Sequence, residues 1–575
     1  MHWTQLPVPG FIRRRIRGRG FMQLRILDRD LRRSHPSWTR VLADAPRYWA
    51  ALRSSAPGRP KVLLATVTGG DIRSTRVESL LAAALTLRDA EVHVLLCDAS
   101  MPACALCNSD LYPDEEQFAK TGPVPLHCAA CFEPARDLYA SMGVAVHRYS
   151  ELVTAEAAAE AARIAATIDL ADVASYTHDG VTVGEHAYAG ALRYFARGTL
   201  RDDATSEVVL RRYLEAALRT RAATDRLLGD GGFEATVSHH GIYVPHGVVG
   251  EVSRRRGVRV VDWDVAYRKG RFLFSHNDTY HHTLMDEPTE AWEDIPWTAA
   301  RDRELDDYLR SRWSGTNDWV SFNRQPELAL DAISAETGVD FSKPVVGMLT
   351  NVMWDAQLHY PANAFPGMLD WALRTIEYFA TRPELELVIR VHPAELTGFI
   401  RSKQFFVDAV VDAFPTLPSN VHVIGPESRI STYVLAEQCN AVLIYGTKTG
   451  VELSAAGIPV VVAGEAWVRN KGITEDARSA DDYFAILDRL PYPARLPPPV
   501  VERARRYAYH FFFRRMIPIG VADELLSKVI GYEWPFAGIG ALEPGADRGL
   551  DVICDGILRG TPFVYPAEEM SPVAS

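Results

Sequence analysis

No apolar run in the chain approaches the roughly 18–20 residues that span a bilayer, and the opening MHWTQLPVPGFIRRRIRGRG has no apolar h-region of a secretory signal. A cytoplasmic protein is therefore expected. Basic charge is also short: 62 Lys and Arg face 73 Asp and Glu, a formal net charge of −11. That sign disfavours a nucleic-acid binder, which normally carries a basic footprint. Lysine is scarcer still, at eight of the 62 cations, and this arginine bias reads as genome composition rather than as a phosphate-binding surface. Low-complexity tracts and internal repeats are missing. What remains is ordinary globular composition, 47% apolar and 23% charged, over 575 residues. That length exceeds one hydrophobic core and predicts two core domains plus additions.

The first addition is a basic arm, residues 1–56. Its segment FIRRRIRGRGFMQLRILDRDLRR, 11–33, sets nine Arg against two Asp. Such a segment is a candidate for peripheral contact with the anionic inner face of a membrane, although Gly18 and Gly20 interrupt any helix there.

From Pro60 the text alternates strand and helix. KVLLATV (61–67), RVESLLAAALTLRDA (76–90) and EVHVLLCD (91–98) form a βαβ opening, and 234–264 repeats the rhythm. An amino-terminal α/β domain is expected over 57–285. Residues 286–340, acidic and rich in Trp and Pro, read as a connector. A second α/β domain is expected over 341–500, with strands at 343–349, 385–391, 420–425, 441–445 and 458–464. An aromatic helix within 501–535 is expected to cross between domains, and 536–575 is a tail.

Within the first domain, about 98–134, Cys104 and Cys107 precede Cys128 and Cys131 in two Cys-x-x-Cys pairs. This spacing predicts a zinc-ribbon insert in which four thiolates close a structural Zn2+ site.

In the second domain, AVLIYGTKTGVELSAAGIPVVVAGE (441–465) places Gly446, Thr447, Lys448, Thr449 and Gly450 between an apolar strand and a short helix. Glycines there permit close backbone approach, the hydroxyls donate, and the start of a helix favours an anion. The spacing is not that of a Walker loop. IRVHPAE (389–395) puts Arg390 and His392 on one face at a strand end, with Pro393 holding His392 extended. A phosphate could accept from both. LTNVMWDAQ (349–357) adds Thr350, Asn351 and Asp355 as ribose, base or phosphate contacts.

The ordered set TNVMWDA, RVHPAE, YGTKTGVELSAAGIPVVVAG, VRNKGIT and ARRYAYHFFFRR resembles the capsule polysaccharide biosynthesis family of bacterial glycosyltransferases. That family includes transferases of Kdo, an acidic sugar delivered as its CMP derivative. The resemblance covers roughly 343–520. It implies a GT-B architecture: two Rossmann-like parallel-sheet domains facing a cleft, the donor nucleotide on the second, and no obligatory catalytic metal. It also implies that His392, Pro393 and loop 446–450 contact donor phosphates and that Glu452 lies near the ribose or sugar. Trp467, Arg469 and Lys471 would close over the donor. The cysteine insert and basic arm depart from the family pattern.

Glycosyl transfer needs a base for the acceptor hydroxyl. Candidates in the first domain are Asp71 after the first strand, Glu185 within HDGVTVGEHAYAGALR, and His240 within SHHGIYVPHG; Asp179, His186, His239 and His246 lie in the same stretches. The expected function is transfer of a sugar from a nucleotide sugar to a glycan or lipid-linked acceptor. A sugar-nucleotide epimerase on the same scaffold and a non-catalytic scaffold protein are the alternatives.

Overall fold

A computed structural model describes residues 35–53, 58–314, 318, 327, 330–358, 360–398, 400–522 and 533–570. The basic segment 11–33 lies outside them. The chain forms two compact units. The first takes the chain up to Phe195, with Leu200–Tyr280 and Arg515–Tyr565. The second takes Ala196–Thr199, His281–Arg514 and the chain from Pro566 onward. The acidic segment 286–340 thus belongs to the second unit.

The first unit is built on β1 (Lys61–Val67), β2 (Glu91–Leu96), β3 (Ala145–Arg148), β4 (Ala235–His239), β5 (Arg259–Val265) and β6 (Arg271–His276). Their order is β6-β5-β4-β1-β2-β3, with a short strand, Ile517–Pro518, beside β6. β1 pairs parallel with both β2 and β4, Leu63 lying opposite His93 on one side and Thr236 on the other. Such a strand is covered on both faces, which is why it is apolar throughout rather than alternating. β6 and Ile517–Pro518 run antiparallel at the edge. Helix α1 (Ile72–Thr86) starts four residues before the expected 76 because Asp71 caps it, its Oδ1 accepting from Ser74 N–H at 3.3 Å.

The cysteine insert is not a ribbon. Between β2 and β3 the chain forms two helices, Glu115–Thr121 and α2 (Pro125–Met142), and no strand. Pro125 opens α2 at a position that suits proline, so Cys128 and Cys131 ride one face of a helix. Among the described residues, no three or more His, Cys, Asp or Glu side chains are arranged to hold a metal ion.

The second unit contains β7 (Val345–Leu349), β8 (Glu386–Arg390), β9 (Val421–Ile424), β10 (Ala441–Ile444), β11 (Val460–Val462) and β12 (Glu475–Asp476). All are parallel, in the order β9-β8-β7-β10-β11-β12. The chain winds outward from β7 to β9, then returns to β7 and winds the other way. This doubly wound order has its switch point between β7 and β10, where such sheets bind ligands. Helix α3 (Thr449–Ala455) follows β10, and helix α4 (Pro498–Tyr509) continues as a wider turn, His510–Arg515. Tyr507, Tyr509, Phe511 and Phe512 are buried. Among the described residues no helix is long and apolar enough to cross a membrane.

Candidate functional site

Three loops meet at the carboxyl ends of β8, β7 and β10. Thr350, directly after β7, is buried, and its Oγ1 accepts from the backbone N–H of His392 at 3.1 Å. Asn351 Oδ1 accepts from Gly446 N–H at 3.4 Å, joining the two loops that flank the switch point. The imidazole of His392 is fixed in one tautomer. Its Nδ1 accepts from Ala394 N–H at 3.1 Å, so the ring proton sits on Nε2. Burial, followed by the charges of Lys448 and Arg390, pushes its pKa down to about 4. At neutral pH His392 is an uncharged donor, and Pro393 behind it leads into the short helix Ala394–Thr397. Asp355 is exposed on the adjacent turn.

The loop 446–450 departs from expectation in detail. Thr447 and Thr449 hydroxyls bond each other at 3.2 Å. A Cβ on Gly450 would come within 2.6 Å of Ile444 Cδ1, so this glycine serves packing rather than ligand approach. Gly446 is less constrained, its nearest such contact being Glu465 O at 3.5 Å.

Lys448 and Glu452 belong to a buried ion network. Lys448 Nζ meets Glu452 Oε1 at 3.0 Å, while Oε2 takes Arg312 Nε at 2.8 Å and Tyr433 OH at 2.6 Å. Arg312, on helix Ala299–Ser314, also pairs with Asp318, to which Tyr308 OH donates at 3.0 Å. Burial alone would raise the Glu452 pKa, but Arg312 and Lys448 overcome it and hold the carboxyl at about 2. Both carboxylate oxygens therefore have protein partners. Sequence reading missed Arg312, Asp318 and Tyr433, which come from segments with no motif of their own.

Arg390 is not placed as the motif suggested. Its guanidinium donates to the carbonyls of Val391, Gly425 and Ser428 at 3.1, 2.6 and 2.9 Å, tying β8 to the loop after β9. The segment meant to close over a donor is likewise buried structure. Arg469 donates to Gly464 O and Ala477 O, Lys471 to Met285 O and Glu287 O, and the Trp467 ring packs on Phe511.

The first unit has its own switch point, between β1 and β4. Asp71 and His240 come together there with His239 and Asp264. His239 Nε2 lies 3.4 Å from Asp264 Oδ1 and its Nδ1 lies 3.9 Å from Asp71 Oδ2; His240 Nε2 lies 3.6 Å from Asp264 Oδ2. Glu78, on α1, is fully buried and accepts from Trp263 Nε1 at 3.1 Å. His246 is buried with Nε2 3.3 Å from Thr66 O. Glu185 stands half-buried in the first turn of helix Gly184–Phe195. Its neighbour His186 faces Glu251 at 3.5 Å, and Asp179 pairs with Arg221 at 3.1 Å. Asp264 was missed although strand alternation puts it on the face of Asp262.

The cysteines are close but incomplete as a donor set. Cys104 and Cys107 Sγ atoms are 3.8 Å apart, and Cys131 Sγ accepts from Gly70 N–H at 2.9 Å.

Both units thus carry polar loops at the switch point of a mostly parallel α/β sheet, the construction of nucleotide-binding α/β proteins. Residues 335–492 match the family model described as capsule polysaccharide biosynthesis protein, which bears out the resemblance over that segment. No curated protein matches the chain. Among solved structures, the chain is similar to Thermosulfurimonas dismutans KpsC, a beta Kdo 2,4 transferase, at 12% identity, covering 48% of this chain and 80% of that one with TM-score 0.32. It is similar to the UDP-GlcNAc 2-epimerase of Neisseria meningitidis at 10% identity, covering 82% and 99%, with TM-score 0.24.

Proposed function

We propose that the protein is a GT-B-type glycosyltransferase of surface polysaccharide assembly, acting in the cytoplasm. Its second unit binds the nucleotide sugar and its first unit handles a glycan or lipid-linked acceptor. One observation carries the reading. The β7/β10 switch point, inside the segment that matches the family, gathers Thr350, Asn351, His392 and the 446–450 loop. These groups suit a phosphate: a neutral imidazole with its proton on Nε2, two threonine hydroxyls and backbone N–H groups. A CMP-linked acidic sugar is the donor class that the family resemblance favours.

The test is thermal stabilisation by CMP, UDP, GDP and their sugar conjugates, with His392→Ala as control. A ligand at about 100 times its Kd stabilises by about 2.7 kcal/mol. One nucleotide should raise the Tm and lose that effect in the variant. No shift with any of them refutes the donor site.

A structural Zn2+ remains part of the proposal. The Cys104–Cys107 separation of 3.8 Å equals the sulfur–sulfur edge of a tetrahedral thiolate site with Zn–S of about 2.3 Å. Cys128 and Cys131 are not arranged with that pair around a common point in this structure and would have to close in to complete the set.

A further inference from the structure

Three elements of the first unit bring three side chains into a row beyond the β1/β4 switch point. Asp264 lies on β5, His239 closes β4, and Asp71 caps α1. The imidazole stands between the carboxylates, 3.4 Å from Asp264 and 3.9 Å from Asp71. Its ring is packed against Trp263, centroids 4.8 Å apart. Asp71 is held from its other side, where Oδ1 accepts from Ser74 N–H at 3.3 Å.

The turn after β4 is strained. His240, Gly241 and Tyr243 have φ of 70°, 68° and 63°. Gly241 is required, because a Cβ there would fall 2.6 Å from the Asp262 carboxylate. For His240 and Tyr243 such backbone is unfavourable, and it persists where the surroundings over-determine the geometry.

We propose that Asp71 is the proton acceptor of the reaction and that His239, fixed by Asp264, is a positioning residue that holds the Asp71 carboxylate in place. This rests on the transferase reading. In the step it serves, the acceptor O–H bond breaks and its proton passes to Asp71 Oδ2. The oxygen's electron pair forms the bond to the anomeric carbon. The bond from that carbon to the phosphate oxygen breaks, and its pair leaves with the nucleotide.

The groups facing His239 are Asp264, Asp71, Glu78, His240 and His246. Burial opposes charge on His239, but Asp264, Asp71 and Glu78 outweigh it and raise the pKa to about 9. Burial lowers His246 to about 3, with the charge of His239 adding to it. His239 is thus an imidazolium at neutral pH while His246 is neutral. The sign follows. A folded pKa above the unfolded value gives stabilisation that is complete below about 6.5 and lost as pH rises through about 9.

The experiment uses the full chain labelled at histidine 13Cε1, with His239 assigned from His239→Gln. Its resonance should titrate near 9 and fall below neutral in Asp264→Asn, with a smaller fall in Asp71→Asn. In parallel, nucleotide release from CMP-, UDP- and GDP-sugars is followed against pH. Asp71→Asn should lose about 100-fold or more in kcat while keeping the thermal shift with nucleotide. Asp264→Asn should move the alkaline limb of the profile down by the change seen in the resonance, and Asp264→Glu should restore part of it. A His239 resonance that ignores Asp264, or full turnover in Asp71→Asn, overturns the proposal. If no nucleotide stabilises the wild type, the transferase reading falls, and the NMR titration still decides whether the three groups are linked.

Discussion

Glu452 separates a structural hub from a ligand contact, and its removal gives opposite results in the two cases. Its side chain is 4% exposed and that of Arg312 is 6% exposed, while Lys448 and Tyr433 complete its partners. Glu452→Gln leaves Arg312 and Lys448 with only Asp318 to balance two buried cations. Breaking a buried pair from one side costs about 3–5 kcal/mol, because the stranded charge stays desolvated. For a unit of this size, 1 kcal/mol shifts the Tm by about 2–4 °C. Calorimetry without nucleotide should therefore show the second unit's transition lowered by about 10 °C. Hydrogen exchange should locate the loss in α3 and the end of helix Ala299–Ser314. Because Arg312 and Lys448 hold the carboxyl at about 2, the wild-type contribution is present above the unfolded value of about 4.5 and disappears only as pH falls through about 2. An unchanged Tm together with a lost nucleotide shift would refute this reasoning and restore Glu452 as a ribose contact.

Two glycines of one loop should behave differently. Gly450→Ala places a Cβ 2.6 Å from Ile444 Cδ1 and 3.1 Å from Val468 Cγ1, and should destabilise by about 1–3 kcal/mol in denaturant titration. Gly446→Ala, with 3.5 Å of clearance, should leave stability unchanged and weaken the nucleotide-induced shift; a normal shift would remove the loop from the phosphate site. For the cysteines, elemental analysis of the purified chain should find one zinc per chain, released when a mercurial titrates the thiols. A metal-free chain whose seven cysteines all titrate as thiols ends the zinc reading.

The strands were legible because a parallel sheet buried on both faces writes itself as uninterrupted apolar runs. KVLLATV became β1 residue for residue, and AVLIY became β10 less its last residue. The places where loops leave those strands were legible for the same reason, so Thr350, His392 and the 446–450 loop could be named from position alone. What each side chain does there was not. Arg390 alternates correctly toward the ligand side, yet a guanidinium that near the loop after β9 finds three carbonyls first. Lys448 and Glu452, four apart on one helix face, were readable as a pair. Their third partner, Arg312, lies 140 residues from Glu452, and no local pattern announces such a contact. The cysteine spacing, in turn, said nothing about the helix that PLHCAACFEPARDLYASM forms, which carries the second pair on α2 instead of a ribbon.

The two switch points share a sheet construction and differ in charge, and that difference bears on their roles. At β7/β10 the loops after the strands present uncharged groups, a neutral imidazole, hydroxyls and amides, while the Arg390 guanidinium is turned to the carbonyls of Val391, Gly425 and Ser428. The neighbouring Lys448 is paired with Glu452. A site of fixed, neutral donors can accept an anion without first breaking an ion pair, and its binding should change little between pH 6 and 9. At β1/β4 the strand ends carry carboxylates and an imidazolium. That set repels a phosphate and is suited to receiving a proton from a hydroxyl. The proposed assignment of donor to the second unit and acceptor to the first is in keeping with these charges: His392, after β8, is held at about 4, and His239, at the end of β4, at about 9. Nucleotide binding that tracked the ionisation of His239 rather than that of His392 would reverse the assignment.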